Sequence, residues 1–265
     1  MLHFTAVYSA MPTLMCLILL ANRALDEVPL VVAANRDEFY ARPAAPAHRW
    51  RHAPAIFGGM DLEAGGTWLA VSERGRFAAV TNFTETIEGL PPPGSRGALP
   101  KDFLEGDESA GGFAARIEHD RYRGFNLLLF DGQNLVYTSN RHPGITTLAP
   151  GVYGLANTHL GSHWPKVETG ACALERALHD PRILCRDLEP LLDVLADDTV
   201  PPDHELPQRG RDVAFERRVA PRFIRGEEYG TRASTALVMT TRRIHFHERL
   251  FGPNGKVLGE TRTTL

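Results

Sequence analysis

The residues of this chain best suited to chemistry are one cysteine and a run of four polar side chains. Cys16 directly follows an internal methionine, Met15, and the run Asn35-Arg36-Asp37-Glu38 stands where an apolar, strand-like segment ends. A cation lowers the pKa of a neighbouring cysteine thiol, and a carboxylate holds an ammonium group in place. If the two segments are adjacent strands, the pattern predicts a thiol nucleophile beside Arg36 and Asp37.

The position of Cys16 suggests how it could be activated. If Met15 is the true start, removal of the methionine leaves Cys16 with a free α-amine, and residues 1–14 are an extension from a wrongly chosen initiator. A thiol beside its own α-amine combines nucleophile and base, because the reference pKa of that amine, about 8, is near working pH. The sequence also permits a buried strand cysteine that acts as a small hydrophobic residue.

Three further side chains are candidates for stabilising charge in a reaction. Asn82 and Asn157 each follow an apolar run, where a side-chain amide can donate to a developing oxyanion, although turn capping is the commoner role of a single asparagine. Arg232 precedes the last long predicted strand and can meet an anionic group or a tetrahedral intermediate. The alternative for Arg232 is an exposed arginine at a strand start.

The elements that must position these side chains are predicted in alternating blocks. Strand patterns cover residues 14–21, 30–35, 66–72, 76–83, 125–131, 135–139, 151–156, 234–240, 243–250 and 256–261, and helical patterns cover 99–104, 107–120, 164–179 and 188–196. A proline-rich loop, residues 90–97, is a lid or a linker. Hairpins separated by helical pairs favour antiparallel sheets with helices outside, a layered α+β domain, over a doubly wound parallel fold.

Composition restricts the function classes. With 265 residues, 43% hydrophobic and 23% charged, the chain is typical of a soluble globular protein with one sizeable core, so residues 15–265 are predicted to form a single domain. A net charge of −3 argues against a nucleic-acid surface. Cys16, Cys172 and Cys185 form no CxxC pair, which indicates a reducing cytoplasm. The apolar run 14–21 is too short for a transmembrane segment.

The histidines do not form a convincing metal site in the sequence. His159 and His163 are four residues apart, and His245 and His247 share one face of a predicted strand, but neither pair has a clear third ligand. We therefore predict no metal site and no required cofactor.

Taken together, these residues resemble the NRDE family, also called the transport and Golgi organisation protein two family. The matching pieces span nearly the whole chain: Met15-Cys16, Asn35-Arg36-Asp37-Glu38, GGTWLAV at 65–71, GLAN at 154–157, WPK at 164–166 and YGTRAST at 229–235. The resemblance implies a fold like that of the N-terminal nucleophile hydrolases, a four-layer αββα sandwich of two antiparallel sheets between helical layers. The most similar group in that superfamily cleaves linear amides, as bile-salt hydrolases do.

The same resemblance implies roles for the candidate residues. Cys16 becomes nucleophile and base, and Arg36 and Asp37 become its polar neighbours. Asn82 and Asn157 become oxyanion or amine partners, and Arg232 becomes an electrostatic stabiliser. Asn35 and Glu38 are then expected to be turn and capping partners that hold Arg36 and Asp37.

Two functions from different classes follow as hypotheses. The first is a thiol amidohydrolase that acts on a small linear, non-peptide amide through N-terminal Cys16. The second is a non-enzymatic cytoplasmic carrier of haem or an acyl-CoA on the same scaffold, with haem as cargo. A third hypothesis, a trafficking adaptor, predicts a large exposed apolar patch in place of a deep pocket.

Overall fold

The computed structural model describes residues 15–85, 92–142, 144–184 and 186–265, and of residue 184 only the backbone. The predictions for the extension 1–14, for Cys185 and for the first residues of the proline-rich loop lie outside the described residues. In the described part of the chain, no helix is long and apolar enough to cross a membrane.

Strands and helices occur in the predicted blocks. The strands in the described residues are β1 (Cys16–Leu25), β2 (Val28–Phe39), β3 (Ala44–Arg49), β4 (Ile56–Asp61), β5 (Leu69–Ser72), β6 (Arg76–Asn82), β7 (Phe125–Phe130), β8 (Leu135–Ser139), β9 (Ile145–Thr147), β10 (Gly151–Leu155), β11 (Tyr229–Met239), β12 (Ile244–Gly252) and β13 (Lys256–Thr264). The helices are α1 (Ala98–Glu105), α2 (Ala110–Ala115), α3 (Pro165–Ala177), α4 (Pro181–Leu184), α5 (Glu189–Leu195) and α6 (Val213–Val219).

These strands form two antiparallel sheets. The six-stranded sheet has the order β10-β1-β2-β11-β12-β13, and the seven-stranded sheet is a meander from β3 to β9. Strand β10 leaves the sequential meander and pairs with β1, which places the residues after β10 beside the start of β1. The first sheet therefore brings together segments from both ends and the middle of the chain.

Residues of β1 alternate between two different cores. Ile18 and Leu20 pack between the sheets against residues such as Phe77, whereas Leu17 and Leu19 pack on the outer face among residues of the helices. Successive side chains of a strand point to opposite faces, so a strand covered on both sides is apolar throughout. This explains the unbroken run of apolar residues that begins after Cys16.

Helices cover the outer face of each sheet. Helices α3 and α5 pack on the six-stranded sheet, and α1 and α2 pack on the seven-stranded sheet. Helix α3 packs closely on β1 at Gly170, where a Cβ would lie 2.9 Å from Cδ2 of Leu19 and would force that side chain to shift. The predicted α+β class, a four-layer αββα sandwich of two antiparallel sheets, is confirmed.

Several elements differ from the sequence pattern, and β9, α4 and α6 were not predicted. Strands β3 and β4 were not predicted, because alternation in residues 44–61 is interrupted by Pro46, Pro54 and the pair Gly58-Gly59. The helix predicted over residues 107–120 is limited to α2, which contains two glycines of low helix propensity. Strand β2 continues to Phe39, so the four polar residues do not end the strand.

Candidate active site

Cys16 opens β1 at one end of the six-stranded sheet. Cys16 pairs with Arg36 on β2 and is 7% exposed. The described residues around it line a cavity of about 110 Å³. This cavity is lined by Cys16, Arg36, Asp37, Glu38, Arg42, Asp61, Ala64, Thr67, Trp68, Val80, Asn82, Ser95, Arg96 and Gly97.

The four polar residues of β2 point alternately to the two cores. Asn35 faces the helices, where its Nδ2 donates to the carbonyl oxygens of Leu195 and Arg222 at 3.0 and 2.7 Å, and its Oδ1 accepts from Ser234. Arg36 and Glu38 are paired with each other in the cavity. The expectation that Asn35 and Glu38 are turn and capping residues is wrong. Both are buried strand residues, because β11 pairs with β2 along this whole segment and β1 pairs with it as far as Arg36.

Arg36 belongs to an ion-pair cluster that joins the two sheets. Its Nη2 lies 3.1 Å from Oδ2 of Asp61 on β4 and 3.7 Å from Oε2 of Glu38. Arg42 donates to the same Asp61 oxygen at 2.7 Å. Burial opposes the ionised form of Asp61, but the hydrogen bonds from Arg42 and the Ala64 amide hold the pKa of Asp61 below its ordinary value.

Asp37 is a buried carboxylate with one unused oxygen. Its Oδ1 accepts a 2.7 Å hydrogen bond from Thr231, and its Oδ2 has no hydrogen-bond partner among the described residues. Burial raises the pKa of Asp37 to about 6, while the charge of Lys166 opposes this shift. Burial likewise lowers the pKa of Lys166 to about 8. Lys166 donates to the carbonyl of Val219 at 3.1 Å.

Asn157 contacts the backbone nitrogen of Cys16. In the β1–β10 ladder Ile18 pairs with Leu155, and continuing this register by two residues places Asn157 opposite Cys16. The Cys16 N–H donates to Oδ1 of Asn157 at 2.8 Å, and Nδ2 of Asn157 donates to the carbonyl oxygen of Asn82 at 2.9 Å. One side chain therefore connects the start of β1 with the end of β6.

Met15 is buried behind Cys16. Its side chain belongs to the core under the helices, its amide donates to Oη of Tyr229 at 2.7 Å, and its carbonyl accepts from the Asp37 amide. While Met15 is attached, the nitrogen of Cys16 is an amide and cannot act as a base. Burial, reinforced by the charge of Asp37, then raises the pKa of the Cys16 thiol to about 12.

Arg232 occupies a neighbouring cavity. It is the extra residue of a bulge in β11, between Thr231 and Ala233, and its Nη1 donates to the carbonyl oxygens of Phe39 and Arg42. The second cavity, of about 180 Å³, shares Arg36, Asp61 and Trp68 with the Cys16 cavity. The structure thus brings four of the other five predicted site residues, Arg36, Asp37, Asn82 and Asn157, to Cys16. Arg232 lies on the other side of the shared wall.

Several site residues were missed in the sequence. Asp61, Arg96, Lys166, Tyr229 and Thr231 all line or support the Cys16 site. Lys166 lies in the WPK motif, and Tyr229 and Thr231 lie in the YGTRAST motif. These motifs carried the family resemblance, so they could have indicated the three residues. Asp61 had no comparable signal, because its strand was not recognised.

Among the described residues away from this site, a cluster with donor types that can bind a metal ion lies at the edge of the six-stranded sheet, on β12 and β13 and at the start of α5. Atoms of Glu189, His247 and Glu260 lie within 4.8 Å of one another. Arg249 and Arg262 form ion pairs with both carboxylates, so the negative charge of this cluster is already balanced by guanidinium groups.

Comparisons with known proteins give the following matches. The family model described as Transport and Golgi organisation 2 matches residues 15–253. A Transport and Golgi organization protein 2 homolog from Bos taurus is 36% identical over 228 residues, covering 79% of this chain and 82% of that protein. The Homo sapiens homolog is 34% identical over 251 residues, covering 88% and 91%. A solved structure of a mutant conjugated bile acid hydrolase from Clostridium perfringens aligns over 94% of this chain and 92% of that chain, with 11% identity and a TM-score of 0.47.

Proposed function

The chain belongs to the Transport and Golgi organisation 2 family, and we propose that this member is a thiol amidohydrolase. Its substrate is a small linear, non-peptide amide, and its nucleophile is Cys16 at a mature N-terminus. The observation that carries this proposal is the position of the Cys16 nitrogen, 2.8 Å from Oδ1 of Asn157, with the thiol in a polar cavity.

Removal of Met15 supplies the base of this mechanism. It converts the Cys16 nitrogen from an amide to an amine, and Asn157 already accepts a hydrogen bond from that nitrogen. The match to the family model begins at residue 15, which supports Met15 as the initiating residue. A positive α-ammonium group next to the sulfur lowers the pKa of the thiol and so opposes the effect of burial.

Asp37 is suited to hold the new charge. Its buried Oδ2 has no partner among the described residues, and the carbonyl of Met15, which now accepts from the Asp37 amide, leaves with the methionine. The Asp37 carboxylate favours the ammonium form of the amine, while Lys166 limits that preference by its own positive charge. Arg36 favours the thiolate in the same way.

The proposed reaction uses these groups in two steps. The α-amine takes the thiol proton, and the sulfur attacks the amide carbon, while the side-chain amide of Asn82 stabilises the oxyanion. The ammonium then returns the proton to the leaving nitrogen as the C–N bond breaks, which gives a thioester and an amine. Water, deprotonated by the α-amine, hydrolyses the thioester to a carboxylic acid and restores Cys16. No cofactor takes part in this scheme.

The proposed cellular compartment follows from the chemistry of the nucleophile. A free thiol suits the reducing cytoplasm, and both cysteines for which the structure gives a state, Cys16 and Cys172, are free. We place the enzyme in the cytoplasm as a single domain of residues 15–265.

A carrier of haem or an acyl-CoA is the second candidate function. The observation that favours it is the buried Met15: a chain that keeps this residue has no α-amine at Cys16 and a thiol of raised pKa, so it could bind a ligand without cleaving it. No described residue lining the Cys16 cavity is a histidine, so Cys16 is the only conventional axial ligand for haem there. The adaptor hypothesis has less support, since the large exposed apolar residues of the described chain come from separate segments, apart from the neighbours Val257 and Leu258.

Three measurements separate these functions. Intact mass of the protein produced in cells shows whether its first residue is Cys16. An amide-library screen then compares the wild type with Cys16→Ala and Cys16→Ser, and the amidohydrolase requires turnover that both variants lose. Saturable hemin absorbance changes, or acyl-CoA binding by calorimetry, without any turnover would support the carrier instead.

A further inference from the structure

One wall of the Cys16 cavity is formed by Ser95, Arg96 and Gly97, the segment that leads into α1. Arg96 carries the only formal charge of this wall, and its Nη1 donates to the carbonyl oxygen of Gly124 at 3.1 Å. Cys16 lines the same cavity, so the two groups face a common space. Neither the proposed chemistry nor the ion-pair cluster of Arg36 uses this cation.

The segment is held firmly on both sides of Arg96. On one side the amide of Thr67 donates to the carbonyl of Gly97 at 3.1 Å, and a Cβ on Gly66 would lie 2.4 Å from that carbonyl oxygen. On the other side the amide of Gly94 donates to the carbonyl of Arg121 at 2.8 Å. Backbone contacts this close fix the origin of the Arg96 side chain, so the guanidinium is positioned before a ligand arrives.

Within the ranges that the structure describes, the charge of Arg96 is not balanced by an ion pair. Among the described residues, no carboxylate lies within ion-pair distance of its guanidinium, whereas Arg36 and Arg42 share Asp61. The nearby Glu85 is already occupied by Arg141 and by the amide of Gly124. Burial, with a smaller contribution from Arg123, lowers the pKa of Arg96 to about 10, so the group stays charged at neutral pH.

A half-buried cation without a counter-ion favours an anionic ligand, because a charge removed from water is costly unless it is paired. The planar fork of arginine matches a carboxylate with two parallel hydrogen bonds. Cys16 and Arg96 line the same cavity of about 110 Å³, so such a carboxylate must be close to the group that the thiol attacks.

We propose that Arg96 binds a carboxylate of the substrate and thereby selects linear amides that carry this group near the scissile bond. This inference deepens the proposed amidohydrolase function and rests on it, because only an enzyme has a substrate to select. The recognition of a small carboxylate beside Cys16 is testable without turnover.

Two alkylating agents of similar size test the recognition directly. Iodoacetate carries a carboxylate and iodoacetamide does not, and both react with the same thiolate, so the pKa of Cys16 cancels from the ratio of their rates. Peptide mass spectrometry measures the alkylation of Cys16 separately from that of the other cysteines. We expect the iodoacetate-to-iodoacetamide ratio at Cys16 to exceed that of free glutathione.

The variants identify the residue responsible. Arg96→Gln should lower the ratio about tenfold, the effect of losing one hydrogen bond to a charged group, and Arg96→Lys should retain part of it. Arg123→Gln, which removes a neighbouring charge outside the cavity lining, is the matched control and should keep the ratio near that of the wild type. Melting temperatures of all variants show whether each is folded.

Each outcome bears on one proposal. A wild-type ratio no higher than that of glutathione, or equal losses in Arg96→Gln and Arg123→Gln, overturns the carboxylate site. A raised ratio that depends on Arg96, in a protein that hydrolyses neither N-acetylglycine nor N-acetylglycinamide, supports the site and counts against the hydrolase. If both amides are cleaved, Arg96→Gln should raise KM for N-acetylglycine alone.

Discussion

The backbone nitrogen of Cys16 donates a 2.8 Å hydrogen bond to Oδ1 of Asn157, a residue 141 positions later in the chain. The same Asn157 side chain donates to the carbonyl of Asn82. Because β10 pairs with β1, this contact follows from the sheet register and does not depend on a flexible loop. The nitrogen that would become the α-amine is therefore oriented by a buried side chain.

Replacing Asn157 tests this relationship. We expect Asn157→Ala to lower kcat for an amide substrate by about 10² or more, the typical loss for one oriented polar group in an active site. Asn22→Ala is the matched control: Asn22 is also buried on β1, but it bonds Leu148 and Ala149 away from the cavity. Equal loss of kcat in the two variants, with equal loss of stability, would contradict a direct role for Asn157.

The start of the chain should decide activity. Protein expressed from Met15 is expected to lose the methionine and show turnover, whereas protein expressed from Met1 keeps an amide at Cys16 and a thiol whose pKa burial raises to about 12. The measurement is turnover per molecule together with intact mass. Equal activity of a protein that mass spectrometry shows to retain residues 1–15 would disprove the N-terminal mechanism.

The ion pair between the sheets should contribute strongly to stability. Asp61→Asn leaves the buried Arg36 without its nearest carboxylate, and we expect a loss of about 3 kcal/mol in the free energy of unfolding. The control is Asp198→Asn in the exposed pair with Arg225, where the expected loss is below about 1 kcal/mol. Urea unfolding measures the free energy of unfolding of both variants. Similar losses in the two would refute the claim that the buried ion pair contributes more than the exposed one.

Glu248 should make stability depend on pH. It is 2% exposed, accepts a hydrogen bond from the Ala47 amide, and burial raises its pKa from 4.5 to about 7. The folded state therefore keeps a proton that the unfolded state loses, so this contribution to stability is present below pH 4.5 and is lost as the pH rises towards 7.

Glu248→Gln removes that dependence. The variant should match the wild type near pH 4.5 and exceed it above pH 7, by roughly 3 kcal/mol if the whole pKa difference appears as stability. Glutamine can still accept from the Ala47 amide, so the packing of this position is retained. Urea unfolding at several pH values provides the test, and an unchanged wild-type slope in the variant would contradict it.

Local pattern was enough to predict much of the fold. The apolar runs around Leu17 and Val31 predicted two adjacent strands, and the structure pairs β1 with β2. The hairpin of β5 and β6 and the final meander were predicted in the same way, because strand periodicity and turn residues are local signals. Strands β3 and β4, which precede the β5–β6 hairpin, have an interrupted alternation of apolar and polar residues. Only their pairing with neighbouring strands defines them.

The sequence by itself determined the candidate nucleophile, most of its polar neighbours and the layered class of the fold, since these depend on residue type and short-range periodicity. Only the tertiary structure decided which side chains meet. Pairing with β11 makes Asn35 and Glu38 interior strand residues, and the bulge at Arg232 directs its guanidinium into a second cavity. Asp61, Arg96 and Lys166 join Cys16 because sheet register and layer packing bring distant segments together, which no local pattern records.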